Sequence, residues 1–435
     1  MNSLSLSLKN LFAKPLTLSL TLVLFSLGVG LISLLMLLQT QLQNQFDKNL
    51  AGIDLVVGAK GSELSLILLS MYHVGSPSGN IPIKEAKPFL RPGHPFIETA
   101  VPLSLGDSHR GYRVVGTEKK FLDLYDAEVA EGRIWEDVME VTLGAGAARD
   151  LDLTVGSRFH SSHGLIEDEN LIHSDSRDFV VVGILAPTGS VVDQLLLTPT
   201  QSIWAVHDTH GHDEHAEENH NHDNHTHHDH DAEAHVHSRP DTAVVNKPLW
   251  EETDKSITSI LIKFKGGGFQ TLNMGRQINE NTNMMAASPP REINNLYANL
   301  GVGIDGLKYL AYIISFVSAL SIFISLFSSL KDRKYELALM RVTGASRAKV
   351  FGLIMTEGLL LAFIGCLLGF ALSHIGMSVL AGYMKESYRY TFTGATFLRE
   401  EYWLILGSLL LGLVAAFIPA IQASRTDISE TLSAE

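Results

Sequence analysis

Cysteine is almost missing from these 435 residues: the single one, Cys366, sits inside an apolar run. One cysteine builds neither an intramolecular disulfide nor a cysteine metal cage. Such avoidance fits a domain that faces an oxidising compartment. Basic residues are also scarce, with 33 Lys and Arg against 47 Asp and Glu and a formal charge of −14. No basic domain exists to neutralise phosphates, which excludes a nucleic-acid partner. Phosphate loops are missing too. Gly58-x-x-Gly61 lacks the Gly-Lys-Ser/Thr ending, and the run from Gly301 to Lys308 places Leu307 where a lysine is required. There is no HExxH, and no serine or cysteine stands in a nucleophile elbow. A catalytic reading therefore has no residues to rest on.

Long uncharged runs are what the chain has instead. Residues 16–38 carry no charge and are long enough to cross about 30 Å of hydrocarbon. The run is too long for the apolar core of a signal peptide and lacks a small-x-small cleavage site, so a retained span is expected. Residues 1–15 alternate Leu with Ser and Lys, which predicts an amphipathic helix along the cytoplasmic surface. Further spans are expected at 309–330, 350–384 and 402–423. The third is longer than one crossing needs, so it is tilted, bent near Gly365 or Gly369, or extended beyond the membrane. Small residues recur at Gly358, Gly365, Gly369, Gly376, Gly407, Gly412, Ala415 and Ala416, and small residues let helices approach closely in lipid.

Charge sets the orientation. Lys9 and Lys14 precede the first span, six basic residues lie within 331–349, and Arg425 follows the last span. By the positive-inside rule both termini and the 331–349 segment are cytoplasmic, with 424–435 as a tail. Residues 39–308 and the loop 385–401 then lie outside. Inside 39–308, Leu42, Phe46 and Leu50 recur every four residues, and Ile293, Leu296, Tyr297 and Leu300 do much the same before the second span. Two stalk helices rising from the membrane are expected. Between them the pattern predicts strands at 54–57, 98–104, 111–116, 179–185 and 194–198, glycine turns at 58–61, a helix at 64–72 and a helix-containing stretch at 138–148. Residues 257–265 alternate as a strand does. A mixed α+β domain follows, of two lobes, with about 110–245 inserted into the lobe nearer the membrane.

Residues 207–237 are the most biased stretch. They hold nine acidic residues, no Lys or Arg, and His207, His210, His212, His215, His220, His222, His225, His227, His228, His230, His235 and His237. No apolar period survives there, so disorder is expected. Imidazole and carboxylate suit Zn²⁺, with Cu²⁺ and Ni²⁺ as alternatives, and spacings such as His220-x-His222 let neighbours reach one ion. Weak, exchangeable zinc binding is the reading, against a plain solvated linker. Glu357 and His374 are ionisable residues within the third apolar run. For Glu357, snorkelling or a local interhelical bond weighs as much as function, and packing is favoured for His374.

Three blocks carry a resemblance. They are Lys334-Tyr-Glu-Leu-Ala-Leu-Met-Arg-Val-Thr-Gly-Ala-Ser-Arg347, the run Glu357 to Gly369, and Pro419-Ala-x-x-Ala-Ser-Arg425-Thr-Asp-Ile-Ser-Glu-Thr-Leu432. Together they resemble the MacB/FtsX-type ABC permease family, with Ile428 where the family has proline. The resemblance implies an α-helical membrane protein: four transmembrane helices with a large α+β periplasmic domain inserted between the first and second. It implies a bacterial inner-membrane permease, paired with a second copy, that binds two copies of a cytoplasmic ABC ATPase. Lipids surround it, and a periplasmic or lipoprotein partner is a further candidate. The chain itself would be no enzyme and its fold would hold no cofactor; ATP hydrolysis would move a coupling helix and, through the stalks, the outer domain. Glu336, Arg341, Gly344 and Arg347 are the expected coupling surface. The alternatives are a non-transporting mechanical regulator of an envelope hydrolase or sensor, and a metal receptor built around the histidine tract.

Overall fold

The computed structural model describes residues 7, 10, 15–163, 178–208, 248–266, 268–388 and 392–425. Two compact units divide the chain: Met1–Asn44 with Tyr297–Glu435, and Gln45–Leu296.

The first unit is helical. Four helices are long and apolar enough to cross a membrane: Pro15–Leu50, Pro289–Asp332, Arg347–Tyr388 and Arg399–Ser424. The first two run on without a break through the residues expected to form stalks. The third shows no break either. Gly365 and Gly369 serve packing, since a Cβ on Gly365 would lie 2.7 Å from the Phe25 ring, and one on Gly369 would lie 3.0 Å from the Ser26 carbonyl oxygen. Phe25, Val29, Ile322, Leu326, Leu361, Ala362, Cys366, Phe370 and Ala416 form the core of the bundle. Outward-facing residues are just as apolar, with Phe316 and Trp403 each more than 70% exposed. In water such a surface would aggregate; against lipid tails it matches its solvent.

Two facing motifs set the closest approach of helices three and four. Gly358 and Ala362 meet Gly412 and Ala416, four residues apart on each helix, and the backbones nearly touch. Gly407 touches nothing, and Gly376 only grazes Leu34 at 3.9 Å, so part of the small-residue pattern is ordinary composition. Polar bonds add to the packing. Thr21 and Ser321 hydroxyls meet at 3.1 Å, and the Ser33 hydroxyl donates to the Glu401 carboxylate at 2.6 Å.

The second unit is α+β. One sheet runs β13 (Met284–Ala287), β1 (Leu55–Ala59), β12 (Ser259–Phe264), β3 (Ile97–His109), β4 (Tyr112–Thr117), β10 (Leu196–Pro199), β6 (Glu140–Leu143), β9 (Phe179–Leu185) and β5 (Val129–Gly132). Two short strands, β7 (Arg158–Phe159) and β8 (Ser162–His163), pair with β9 and β3, while β2 (Ile81–Pro82) and β11 (Ser256–Ile257) form a separate ribbon. β12 is buried from Ser259 to Ile262, so both its faces are covered and its alternation separates two apolar environments rather than core from water.

Two cores flank β3. One gathers Val57, Ile83, Ile97, Ile260, Ile262 and Met284; the other gathers Val114, Val141, Leu143, Phe179, Val181 and Leu196. The two expected lobes are thus joined through a single sheet. β3 is longer than the expected 98–104 because its far half pairs with β4 and β8. The stretch 138–148 begins as a strand, β6, before the helix Ala145–Leu151, because Val141 to Leu143 are claimed by β9 and β10. Gly58, expected in a turn, lies inside β1, where a side chain would collide with Leu66.

Two buried basic side chains, Arg113 and His73, mark this unit. Arg113, on β4, donates from Nη2 to the Gly75 carbonyl, and burial lowers its pKa to about 10. Beside it His73 caps the helix Glu63–Tyr72. Burial, and then the Arg113 charge, lower the His73 pKa to about 3. The unfolded imidazole takes its proton near pH 6.5, so between these values the unfolded chain binds more protons. The stability conferred by neutral His73 is complete above about pH 6.5 and is lost as pH falls toward 3, by on the order of a few kcal/mol. Denaturation of the full chain between pH 8 and pH 4 should show this slope. His73→Asn, which tolerates the positive φ and has no proton to gain, should flatten it.

Candidate functional site

The segment that joins helices two and three forms the candidate site. Lys334–Val342 is a separate short helix. Apolar spacing orients it: Leu337 and Ala338 are buried, while Tyr335, Glu336 and Leu339 are exposed. Leu337 packs with Leu330, Val350, Leu353, Ile354 and Ala420, which come from the ends of helices two, three and four. Burying a leucine of this kind stabilises the seat by about 1.5–3 kcal/mol.

The C-terminal end of the short helix is closed by a turn that needs glycine. The Thr343 hydroxyl donates back to the Leu339 and Met340 carbonyls at 3.1 and 3.0 Å. Gly344 adopts φ +104°, and its N–H donates to the Arg341 carbonyl at 3.1 Å. The Ala345 N–H reaches the Met340 carbonyl at 2.9 Å, and Ser346 then caps helix three through the Lys349 N–H. A side chain built on Gly344 would meet no atom, so backbone conformation, not space, demands glycine there.

Of the four expected coupling residues, Glu336 is exposed on the short helix and Arg341 is half-buried near its end. Gly344 forms the turn, and Arg347 is the exposed first residue of helix three. Glu336 accepts from Arg333 Nε at 3.1 Å.

Arg333 is the residue the sequence reading missed. It stands at the break between helix two and the short helix, with φ −110° and ψ 17°. Its Nη1 donates to Glu357 Oε1 at 3.2 Å, and Asn10 Nδ2 donates to the same oxygen at 2.8 Å. Glu357 is thus held by two donors and does not snorkel. The bond from Arg333 to Glu336 is visible as an i, i+3 spacing. The one to Glu357 spans 24 residues and leaves no local trace.

The other ionisable pair lies toward the opposite ends of the helices. His374 Nδ1 lies 2.6 Å from the Gly394 carbonyl, so that nitrogen carries the proton. Nε2 lies 3.4 Å from Glu401 Oε1, and the ring stacks on Phe397. Glu401 is fully buried and also accepts the Leu398 N–H at 2.8 Å. These contacts tie helices one, three and four to the loop before helix four, so His374 does more than fill space.

Of the histidine tract, only His207 has a described side chain; the others lie outside the described residues. His207 Nε2 is 3.5 Å from the buried Asp107 Oδ2. Among the described residues no three His, Cys, Asp or Glu side chains converge as a metal site.

Two families match the chain. The FtsX-like permease C-terminal family matches residues 309–428, which include the short helix and its seat. The MacB-like periplasmic core domain matches residues 18–225. Among solved structures, the crystal structure of the periplasmic region of MacB from Actinobacillus actinomycetemcomitans is similar at 11% identity with a TM-score of 0.32. It covers 56% of this chain and 94% of that one. A search of curated proteins gave no match.

Proposed function

Because this chain belongs to the family of MacB/FtsX-type permeases of ABC transporters, we propose that it takes up the motion of a separate cytoplasmic ATPase at Lys334–Val342 and passes it to the outer α+β domain. The observation that carries this reading is the seat of the short helix. It is wedged by Leu337 against the ends of helices two, three and four and presents Tyr335, Glu336 and Leu339 outward. A push on it is a push on all three. Helices one and two are each unbroken from the apolar run into the outer domain's residues, which supports transmission along a stiff rod rather than through a loop.

On this reading the chain is the inner-membrane subunit, works as a pair with two ATPase subunits, and hydrolyses nothing itself. Zinc enters through the tract, whose twelve histidines would exchange weakly held ions near the domain. One preparation tests both parts. The tagged full chain is extracted from its native membranes in mild detergent, and its companions and its bound zinc are measured. An ATPase subunit and a second copy of the chain are expected, with several zinc ions per chain lost when residues 209–237 are deleted. A chain that arrives without an ATPase refutes the coupling reading, and zinc uptake unaffected by the deletion removes the tract from it. An envelope hydrolase arriving with the ATPase would make the chain a mechanical regulator rather than a transporter.

A further inference from the structure

We infer that Arg333 is the positioning residue through which displacement of the short helix reaches helix three, and that Glu336 is the contact it releases when the ATPase docks. The inference rests on the coupling reading above.

One guanidinium holds two carboxylates on two different elements. Nε bonds Glu336 Oε2 at 3.1 Å, and Nη1 bonds Glu357 Oε1 at 3.2 Å. A planar, always-charged fork with fixed donor directions fits this task; a lysine ammonium does not. The backbone at Arg333 leaves the helical region, so the residue sits where helix two stops and the short helix begins. Movement of either one must pass this point.

The two arms differ in strength, and the difference gives the direction of exchange. The Glu336 side chain is 66% exposed, and solvent screens such surface pairs so that they contribute little. The Glu357 side chain is 2% exposed and the Arg333 side chain 15%. Breaking a buried pair by removing one partner leaves an uncompensated charge and is strongly destabilising. The buried arm is therefore fixed, and the exposed arm is the one an incoming basic or amide side chain displaces. Asn10 Nδ2 shares Glu357 Oε1, which brings the N-terminal segment to the same node.

The test uses the full permease–ATPase complex in lipid nanodiscs. Arg333→Ala should keep the ATPase bound and its KM for ATP within about twofold, and lower permease-dependent kcat about tenfold or more. Glu357→Gln should do the same. Arg333→Lys, which keeps the charge and loses the fork, should fall between, and it remains informative if the alanine variant fails to fold. The exchange Arg333→Glu with Glu357→Arg should recover most of the loss. Wild-type kcat in Arg333→Ala or in Glu357→Gln overturns the inference. A second readout needs no ATPase. Spin labels at Leu339→Cys and Ile418→Cys in the chain alone should give a distance distribution that broadens in Arg333→Lys; an unchanged width overturns the inference even if the coupling reading stands. If no ATPase binds the wild type, the coupling reading fails by itself, and the label distances still report on Arg333.

Discussion

Gly412→Leu should leave almost no folded chain after extraction. A Cβ at residue 412 would lie 2.3 Å from the Ala362 Cβ and 3.2 Å from the Gly358 carbonyl oxygen. A leucine adds three more carbons into the same contact. Neither neighbour is the free end of a flexible side chain, so helices three and four must separate. Overpacking of a filled site costs about 1–3 kcal/mol, and contact with the backbone puts this case at or above the top of that range. Separation would also part the contacts that Phe25 and Leu326 make with this core. Size-exclusion profiles and thermal unfolding in detergent would measure the loss. Gly407→Leu is the internal control, because a side chain there meets no atom and should shift the midpoint little. Equal damage from both would show that the crossing is not where the tolerance ends.

Gly344→Pro should insert as the parent chain does, yet lose coupling. Proline fixes φ near −65°, whereas residue 344 needs +104°. Proline also deletes the N–H that bonds the Arg341 carbonyl. The turn between the short helix and helix three must then take another path, and the Leu337 seat changes its angle. Because the four long helices do not contain this residue, their packing should survive. Permease-dependent ATP hydrolysis should fall about tenfold or more, while the amount of extracted protein stays near that of the parent. Gly344→Ala should be intermediate, since a Cβ fits the space but strains at positive φ. Unchanged hydrolysis in the proline variant would remove the turn from the transmission path.

The sequence shows most clearly what depends on length and on near neighbours. Four long apolar runs, the short helix and its Thr-Gly-Ala-Ser closing turn are all readable from consecutive residues. The contacts that make the site a site are not. Arg333 looks like one more basic residue in a cluster of charges, and only the fold brings Glu357 and Asn10 to it. His374 reads as a stray polar residue until Glu401 and Gly394 arrive from the next helix and its leading loop. In the outer domain, alternation locates β12 but cannot say that both its faces are covered. Residues 138–148 mislead for a related reason. Small residues after Leu143 favour a helix, while the strand before them exists because β9 and β10 lie on either side of it.

β3 carries a consequence for how the outer domain behaves under load. It is 13 residues long, hydrogen-bonded to β12 in its first half and to β4 and β8 in its second, so it joins the strands of one core to those of the other. Neither core keeps an intact sheet once this strand leaves. The two should therefore melt in one cooperative step, with the slowest amide exchange along β3.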